Sequence, residues 1–339
     1  MSVQRIFRVA SCLTPMRVSP SFLTVAALLS AVFISGACKR RPLTVGDNNV
    51  QVNISIDYDI VNYPDPEEPG MMRVMFFDSE DGGFASHAFL PVSGGRVNVI
   101  PGRTYHVLAY NFDTESTIVG NEYLWHGIHA TTNEVPESYK SRLKSRADAD
   151  PEELIVYEPD HHYVARERDV YVPARSVEAP PVVIDLDAST IVETWKVYID
   201  RVEGIQYVAS VAGVISGLAL SNTLASDEES EDKASVFFET MSVTKEGVLE
   251  IQFNTFGYVP SEKQVITLVV TDTAAEGHEF NFDVSGQFVD NPEQIIRVKT
   301  GEDGNPDIVI DEPDAPESGG GGLAPEVDEW DDIVIDIPI

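Results

Sequence analysis

A chain of 339 residues is long enough for two ordinary hydrophobic cores. Its 56 Asp and Glu against 23 Lys and Arg, a formal charge of −33, exclude nucleic acid as a partner, because so negative a field repels phosphate backbones. Its two cysteines, Cys12 and Cys38, exclude a disulfide framework, so stability has to come from buried apolar surface.

The first 37 residues carry Arg5, Arg8 and Arg17, no acid, and an apolar run from Phe22 to Ile34. Residues 1–37 read as a signal peptide: about thirteen uninterrupted apolar residues fall short of the ~20 needed to span a bilayer, and Lys39, Arg40 and Arg41 follow at once. Met16 offers a second start that would shorten the basic leader. The small residues Ser35, Gly36 and Ala37 before Cys38 look like a lipobox, in which the thiol accepts diacylglycerol, and the cysteine, once acylated, carries palmitate. Cys38 is therefore the expected lipidation site, and that covalent lipid is the only prosthetic group expected. Removing the leader leaves a formal charge of −36, which repels anionic lipid surfaces, so the acyl chains would have to hold the protein at the membrane.

Residues 38–49 read as a polar tether. From Val50 the chain alternates, with Val52, Ile54, Ile56 and Tyr58 apolar and Gln51, Asn53, Ser55 and Asp57 polar, the period of a strand with one wet face. Short runs at 73–78, 96–100 and 104–112 predict further strands, punctuated by Pro64-Asp65-Pro66, Asp81-Gly82-Gly83, Ser93-Gly94-Gly95 and Pro101-Gly102. One helix is predicted, at 137–146, followed by strands at 153–157, 169–172 and 181–186. A β-rich run over 189–202 opens a second domain, so the domains are placed at 50–187 and 188–312. The stretch 205–224 is apolar enough to raise the question of a membrane span. Gln206, Ser210, Ser216, Ser221 and two glycines interrupt it, and a buried segment is the reading preferred. The acidic run 227–232 reads as a solvated connection. Alternating strands at 234–243, 248–256, 264–272 and 278–288 have the spacing of a β-sandwich, which 294–300 and 307–311 complete.

Residues 313–339 form a tail. Gly319 to Gly322 read as a flexible hinge, and the chain closes on Trp330-Asp331-Asp332 and a strand in which Ile333, Ile335, Ile337 and Ile339 share one face. Those four side chains require a sheet to cover them, either that of another molecule or their own second domain. A strand of seven residues spans about 23 Å, enough to add to one sheet edge.

No enzyme signature is present: there is no Gly-x-Ser-x-Gly elbow, His-Glu-x-x-His helix, phosphate loop or cysteine nucleophile. His126 with His129 and the pair His161-His162 are metal candidates only if a further ligand folds nearby, and no metal site is assigned. The oxygen donors at 302–307 lack the ligand ladder of an EF-hand and read as a turn. Asp272-Thr273-Ala274 matches a short O-glycosylation acceptor pattern. Tyr123 and Trp125 are candidates for an aromatic platform that binds a glycan or a host protein.

The lipid-type cysteine, consecutive β domains, the stretch Val214-Ile215-Ser216-Gly217-Leu218-Ala219-Leu220-Ser221 and the tail ending in Trp330-Asp331-Asp332 plus an isoleucine strand together resemble the fimbrillin-like lipoproteins of Bacteroidales. The similarity is to a branch related to fimbrial anchor and accessory subunits. The resemblance implies an all-β fold of two tandem transthyretin-like β-sandwiches, lipid-anchored at the outer membrane, with other fimbrial subunits as partners. In that family, polymerising subunits accept a neighbour's C-terminal strand, and anchor subunits remain lipidated. Surface display there goes with acidic residues after the lipid cysteine, where this chain has Lys39, Arg40 and Arg41, so the sequence leaves the leaflet open.

Overall fold

A computed structural model describes residues 49–137, 153–174, 179–240, 242–243, 247–302 and 304–312. Among them the chain forms twenty strands in four sheets. In chain order these are β1 (Asn49–Ile56), β2 (Met71–Asp78), β3 (Phe84–Pro91), β4 (Gly94–Asn98), β5 (Arg103–Asn111), β6 (Thr117–Gly120), β7 (His129–Thr132), β8 (Leu154–Tyr157), β9 (Tyr163–Val172) and β10 (Val182–Thr190). They continue as β11 (Glu193–Asp200), β12 (Val208–Ala219), β13 (Ser221–Thr223), β14 (Glu228–Glu229), β15 (Lys233–Thr240), β16 (Ser242–Val243), β17 (Leu249–Thr255), β18 (Val265–Asp272), β19 (Gly277–Asp283) and β20 (Ile295–Lys299). The signal peptide, tether, Cys38, tail and its four isoleucines lie outside the described residues, as does the predicted helix apart from Glu137.

The first sheet runs β3-β2-β5-β9-β10-β1-β4, with β1 and β10 parallel. Alternation places Val50, Val52, Met72, Val74, Phe76, Val107, Ala109, Ile184 and Leu186 in one core. In the middle strands the other face is buried as well. Met75, Phe77, Leu108, Tyr110 and Val164 meet Trp125, Ile128, Ala130, Leu224, Ala225 and Phe256 in a second core. The small sheet β14-β13-β7-β6 contributes to this cover, so β7 from the first half of the chain pairs with β13 from the second.

Two further sheets, β16-β17-β11-β20 and β19-β18-β12-β15-β8, face each other as a sandwich. Between them lie Trp195, Val197, Ile199, Ile251, Phe253, Ile266, Leu268, Phe238, Ile296 and Val298. The apolar stretch that raised the membrane question supplies β12, the centre of the five-stranded sheet, flanked by β15 and β18. Among the described residues no helix is long and apolar enough to cross a membrane. Gly217 sits in β12 at φ +72, where the register to β15 slips, and a Cβ there would meet Lys263 O at 2.4 Å.

The acidic run 227–232 is solvated as expected, with Asp227, Glu228, Glu229, Glu231 and Asp232 exposed, and it carries part of a short hairpin: Asp227 N–H donates to Thr223 O at 2.8 Å, Asn222 pairs with Glu229, and Arg166 bridges to Asp227 at 3.2 Å. Two local expectations are corrected. The strand expected over 278–288 stops at Asp283, where Ser285 N–H and Oγ both donate to the Asp283 carboxylate and the chain winds into a 3-10 turn at Ser285–Gln287. The segment 307–311 makes only one bridge, Val309 with Glu203, although Ile308 and Ile310 are buried in the sandwich core. The segment 302–307 closes as the expected turn, with Asn305 N–H donating to Glu302 O at 3.0 Å.

Candidate functional site

The two proposed platform aromatics separate. Tyr123 is 76% exposed, but Trp125 is fully buried, so an aromatic platform containing Trp125 is excluded. A 3-10 turn at Trp125–Gly127 drives the indole inward, and Trp125 N–H donates to Gly82 O at 2.8 Å. The ring packs edge-on to Phe77 at 5.6 Å and tilted over His106 at 4.9 Å, as part of the cover on the outer face of the first sheet. Burial lowers the pKa of His106.

Tyr123 instead begins a ribbon of exposed rings. From Tyr123 it passes to Phe84 at 6.5 Å, His87 at 5.6 Å, Phe89 at 5.6 Å and Phe112 at 5.0 Å between centroids. Phe84, Phe89 and Phe112 are each exposed by more than a third. Arg73 lies over Phe89 and Phe112, 5.5 and 5.8 Å from their ring centres, and pairs with Glu122, which also accepts the Tyr110 hydroxyl at 2.6 Å. A salt bridge on the protein side thus fixes the guanidinium while its face meets the rings. The sequence analysis assigns no element to 84–91, and with β3 it misses this surface. His87 and Phe89, two apart, would share one face of such a strand and were the available signal.

A cleft of about 580 Å³ lies elsewhere, lined by Tyr63, Asp113, Glu158, Asp160, His161 and Tyr163 among others. Asp160 accepts the N–H groups of Ser116 and Thr117, each at 2.7 Å. Glu158 accepts Asn254 N–H at 2.8 Å, and burial lifts its carboxyl to about 7. The His161 ring packs on Tyr63 at 4.6 Å. The Tyr163 hydroxyl and His161 Nδ1 have no partner among the described residues.

His162 faces away from its neighbour: it is fully buried, lies against Tyr110 at 5.6 Å, and burial depresses its pKa to about 4. His129 Nδ1 lies 2.9 Å from Gly127 O, whereas His126 is exposed. Among the described residues no three His, Cys, Asp or Glu side chains form a metal-binding group.

Sheet edges decide where a foreign strand can add. The outer edge of β20 is occupied by side-chain amides: Gln287 Oε1 accepts Arg297 N–H at 2.8 Å, its Nε2 donates to Arg297 O at 3.0 Å, and Asn291 Nδ2 donates to Ile295 O at 2.8 Å. Gln287 makes the two bonds to Arg297 that a neighbouring strand would make.

A family model described as "Domain of unknown function (DUF5119)" matches residues 37–239. A candidate adhesin from Bacteroides ovatus ATCC 8483 is similar in structure, with 22% identity, a TM-score of 0.57, and coverage of 83% of this chain and 99% of that one. The fimbrial anchor protein Mfa2 from Porphyromonas gingivalis is a weaker likeness, at 14% identity and a TM-score of 0.47, covering 74% of this chain and 90% of its own. A candidate polysaccharide-binding protein from Bacteroides thetaiotaomicron VPI-5482 is similar at 10% identity and a TM-score of 0.45, with the same coverage. No curated protein matches the chain. The all-β expectation and the resemblance to fimbrillin-like proteins therefore hold at the level of fold.

Proposed function

The chain belongs to the DUF5119 family, a domain of unknown function, and we propose that it is a non-enzymatic, lipid-anchored cell-envelope protein serving as a fimbrial anchor or accessory subunit, or as an adhesin. Cys38 carries the lipid at the outer membrane, and the strand of Ile333, Ile335, Ile337 and Ile339 pairs with a sheet of another subunit. The observation that carries this reading is the exposed ribbon of Tyr123, Phe84, His87, Phe89 and Phe112 with Arg73 clamped against it. Contiguous exposed apolar surface on a folded protein marks an interaction site, and aromatics with Arg are the residue types that dominate protein interfaces. The occupant of the ribbon in this reading is a second fimbrial subunit. Likeness in fold to a candidate adhesin over 99% of that chain supports the same class. Pairing of the tail in trans is supported by the closure of the β20 edge, which removes one place where the tail could add to its own sheet.

The test is co-purification with fibres from the bacterial surface. Deleting 330–339 abolishes incorporation while leaving a folded, exported lipoprotein, Cys38→Ser releases the protein from the membrane and ends palmitate labelling, and the pair Phe89→Ala and Phe112→Ala weakens capture of the partner about tenfold or more. Fibres that carry the deletion variant at the wild-type level overturn strand pairing.

A second reading, a surface lipoprotein that binds glycan with its tail folded in cis, is favoured by the cleft beside Tyr63 and His161, which offers two rings next to carboxylates and amides. Glycan-array binding lost in Tyr63→Ala and kept in the ribbon variants selects it.

A further inference from the structure

A second cleft, of about 340 Å³, opens where β10 passes into β11, and its polar lining is Asp59, Thr190, Glu193, Asn222, Asp227, Glu229 and Gln294. Its lining contains no basic residue. Asp227 is neutralised by Arg166 at 3.2 Å, but Glu193 and Glu229 have no cationic partner among the described residues. Glu193 is half satisfied, because Trp195 Nε1 donates to its Oε2 at 2.9 Å and leaves Oε1. The Glu229 carboxylate rests on the bare backbone of Gly257, at φ +123, in the space a Cβ would fill, and Tyr258 N–H donates to it. Glu229 is exposed as a residue, but partial desolvation of its carboxyl, and then the charges of Glu193 and Asp227, raise it to about 7. Two acids thus line one cleft with hydrogen-bond donors but without a cation among the described residues.

Asn222 is only 3% exposed; its Nδ2 donates to Asp227 Oδ1 at 3.3 Å, while its Oδ1 is buried without a partner. Gln294 Oε1, in the same lining, is also buried without a partner. Buried acceptors with no donor are uncommon and call for an explanation. Here two such acceptors and two carboxylates without a cationic partner among the described residues line one cleft, and what they lack in common is positive charge. All four donors are hard oxygens, with no histidine or thiolate among them, which matches calcium rather than zinc or copper.

We propose that this cleft binds a calcium ion through the carboxylates of Glu193 and Glu229 and the amide oxygens of Asn222 and Gln294, with water completing the shell. With only two carboxylates, affinity falls in the range of extracellular calcium modules, a Kd of roughly 0.1–1 mM. The ion ties together the start of β11, the β13–β14 hairpin and the residue before β20.

The experiment is a calcium titration of the mature protein, read by thermal unfolding and by terbium luminescence excited through tryptophan, with Trp195 hydrogen-bonded to one proposed ligand. Calcium at about 10 mM raises the Tm by about 5 °C, and terbium gives a saturable signal that calcium displaces. The double variant Glu193→Gln and Glu229→Gln loses both responses and is at least as stable as wild type without calcium. Asn222→Asp, which adds a third carboxylate, tightens calcium about tenfold, so the idea remains testable if the double variant fails to fold. An equal Tm rise with magnesium, or calcium responses unchanged in both variants, overturns the site and assigns the effect to general screening of the acidic surface.

Discussion

Along β17 every second residue is buried, Leu249, Ile251, Phe253 and Thr255, whereas β5 is buried at every residue from Val107 to Asn111. The difference follows from what covers each sheet. The sheet containing β17 has one core, shared with its sandwich partner. The central strands of the first sheet have two, one on the face of Val74, Phe76 and Val107 and one, on the other face, beneath the small sheet and the turn that holds Trp125. A strand covered on both sides loses its polar face, and Met-Met-Arg-Val-Met-Phe-Phe in β2 is the result. The outer core also joins the halves of the chain, because Leu224, Ala225 and Phe256 from the second half close over Met75, Phe77 and Leu108 from the first.

The largest expected effect tests that outer core. Trp125→Ala removes a fully buried indole and is expected to cost about 3–5 kcal/mol, while Tyr123→Ala, two residues away on the surface, changes stability by about 0.5 kcal/mol or less. Urea unfolding followed by circular dichroism reads both. Equal losses for the two would mean that the cover contributes nothing to the first sheet.

The same contrast sets what could be read from the sequence. Strands with one wet face stood out: β1, β11 and β17 alternate, and β10 and β18 lie where runs of Val, Ile and Leu end on turn residues. The apolar stretch at β12 was recognisable as buried because serines and glycines interrupt it, and in the structure Ser216 Oγ accepts Val265 N–H at 3.2 Å. What was lost is what depends on distant partners. Strand β3 is largely exposed, with Phe84, His87 and Phe89 facing solvent, and no regular apolar–polar period in its sequence announces it. β6, β7 and β13 are each four residues or fewer and gain their order from one another. Trp125 reads as a surface aromatic because its neighbours Tyr123 and His126 are exposed, yet its ring is buried against Phe77 and His106, far from it in the chain. The ribbon and both clefts draw on segments far apart in the chain, and no local pattern carries such a juxtaposition.

Two titratable groups respond to pH with opposite sign. His162 packs beneath the first sheet and titrates near 4 instead of 6.5, so its contribution is fully present above pH 6.5 and is lost as pH falls through about 4. Glu158, in the acidic cleft, is raised from 4.5 to about 7, and its contribution has the opposite sign: it is fully present below pH 4.5 and is lost as pH rises through about 7. Glu158→Gln is therefore expected to unfold at higher urea than wild type at pH 8, by on the order of 1 kcal/mol, and to match it at pH 4. A gap of the same size at both pH values would mean that the carboxyl is solvated in the folded protein.

The smallest change in stability, with the largest consequence for association, concerns the β20 edge. The Gln287 amide makes two hydrogen bonds to Arg297 that would otherwise face solvent at a sheet margin, so Gln287→Ala is expected to cost about 1 kcal/mol or less. It also leaves the Arg297 N–H and C=O open to a foreign strand, and edges left open in this way recruit other chains. The variant is expected to self-associate with rising concentration in sedimentation velocity runs while wild type remains monodisperse, and removing residues 330–339 from the variant is expected to reverse the effect, since the tail is the strand available to add. Association that persists without the tail would show that the opened edge pairs with another strand, and a variant that stays monodisperse would show that the amides of Gln287 do not guard the edge.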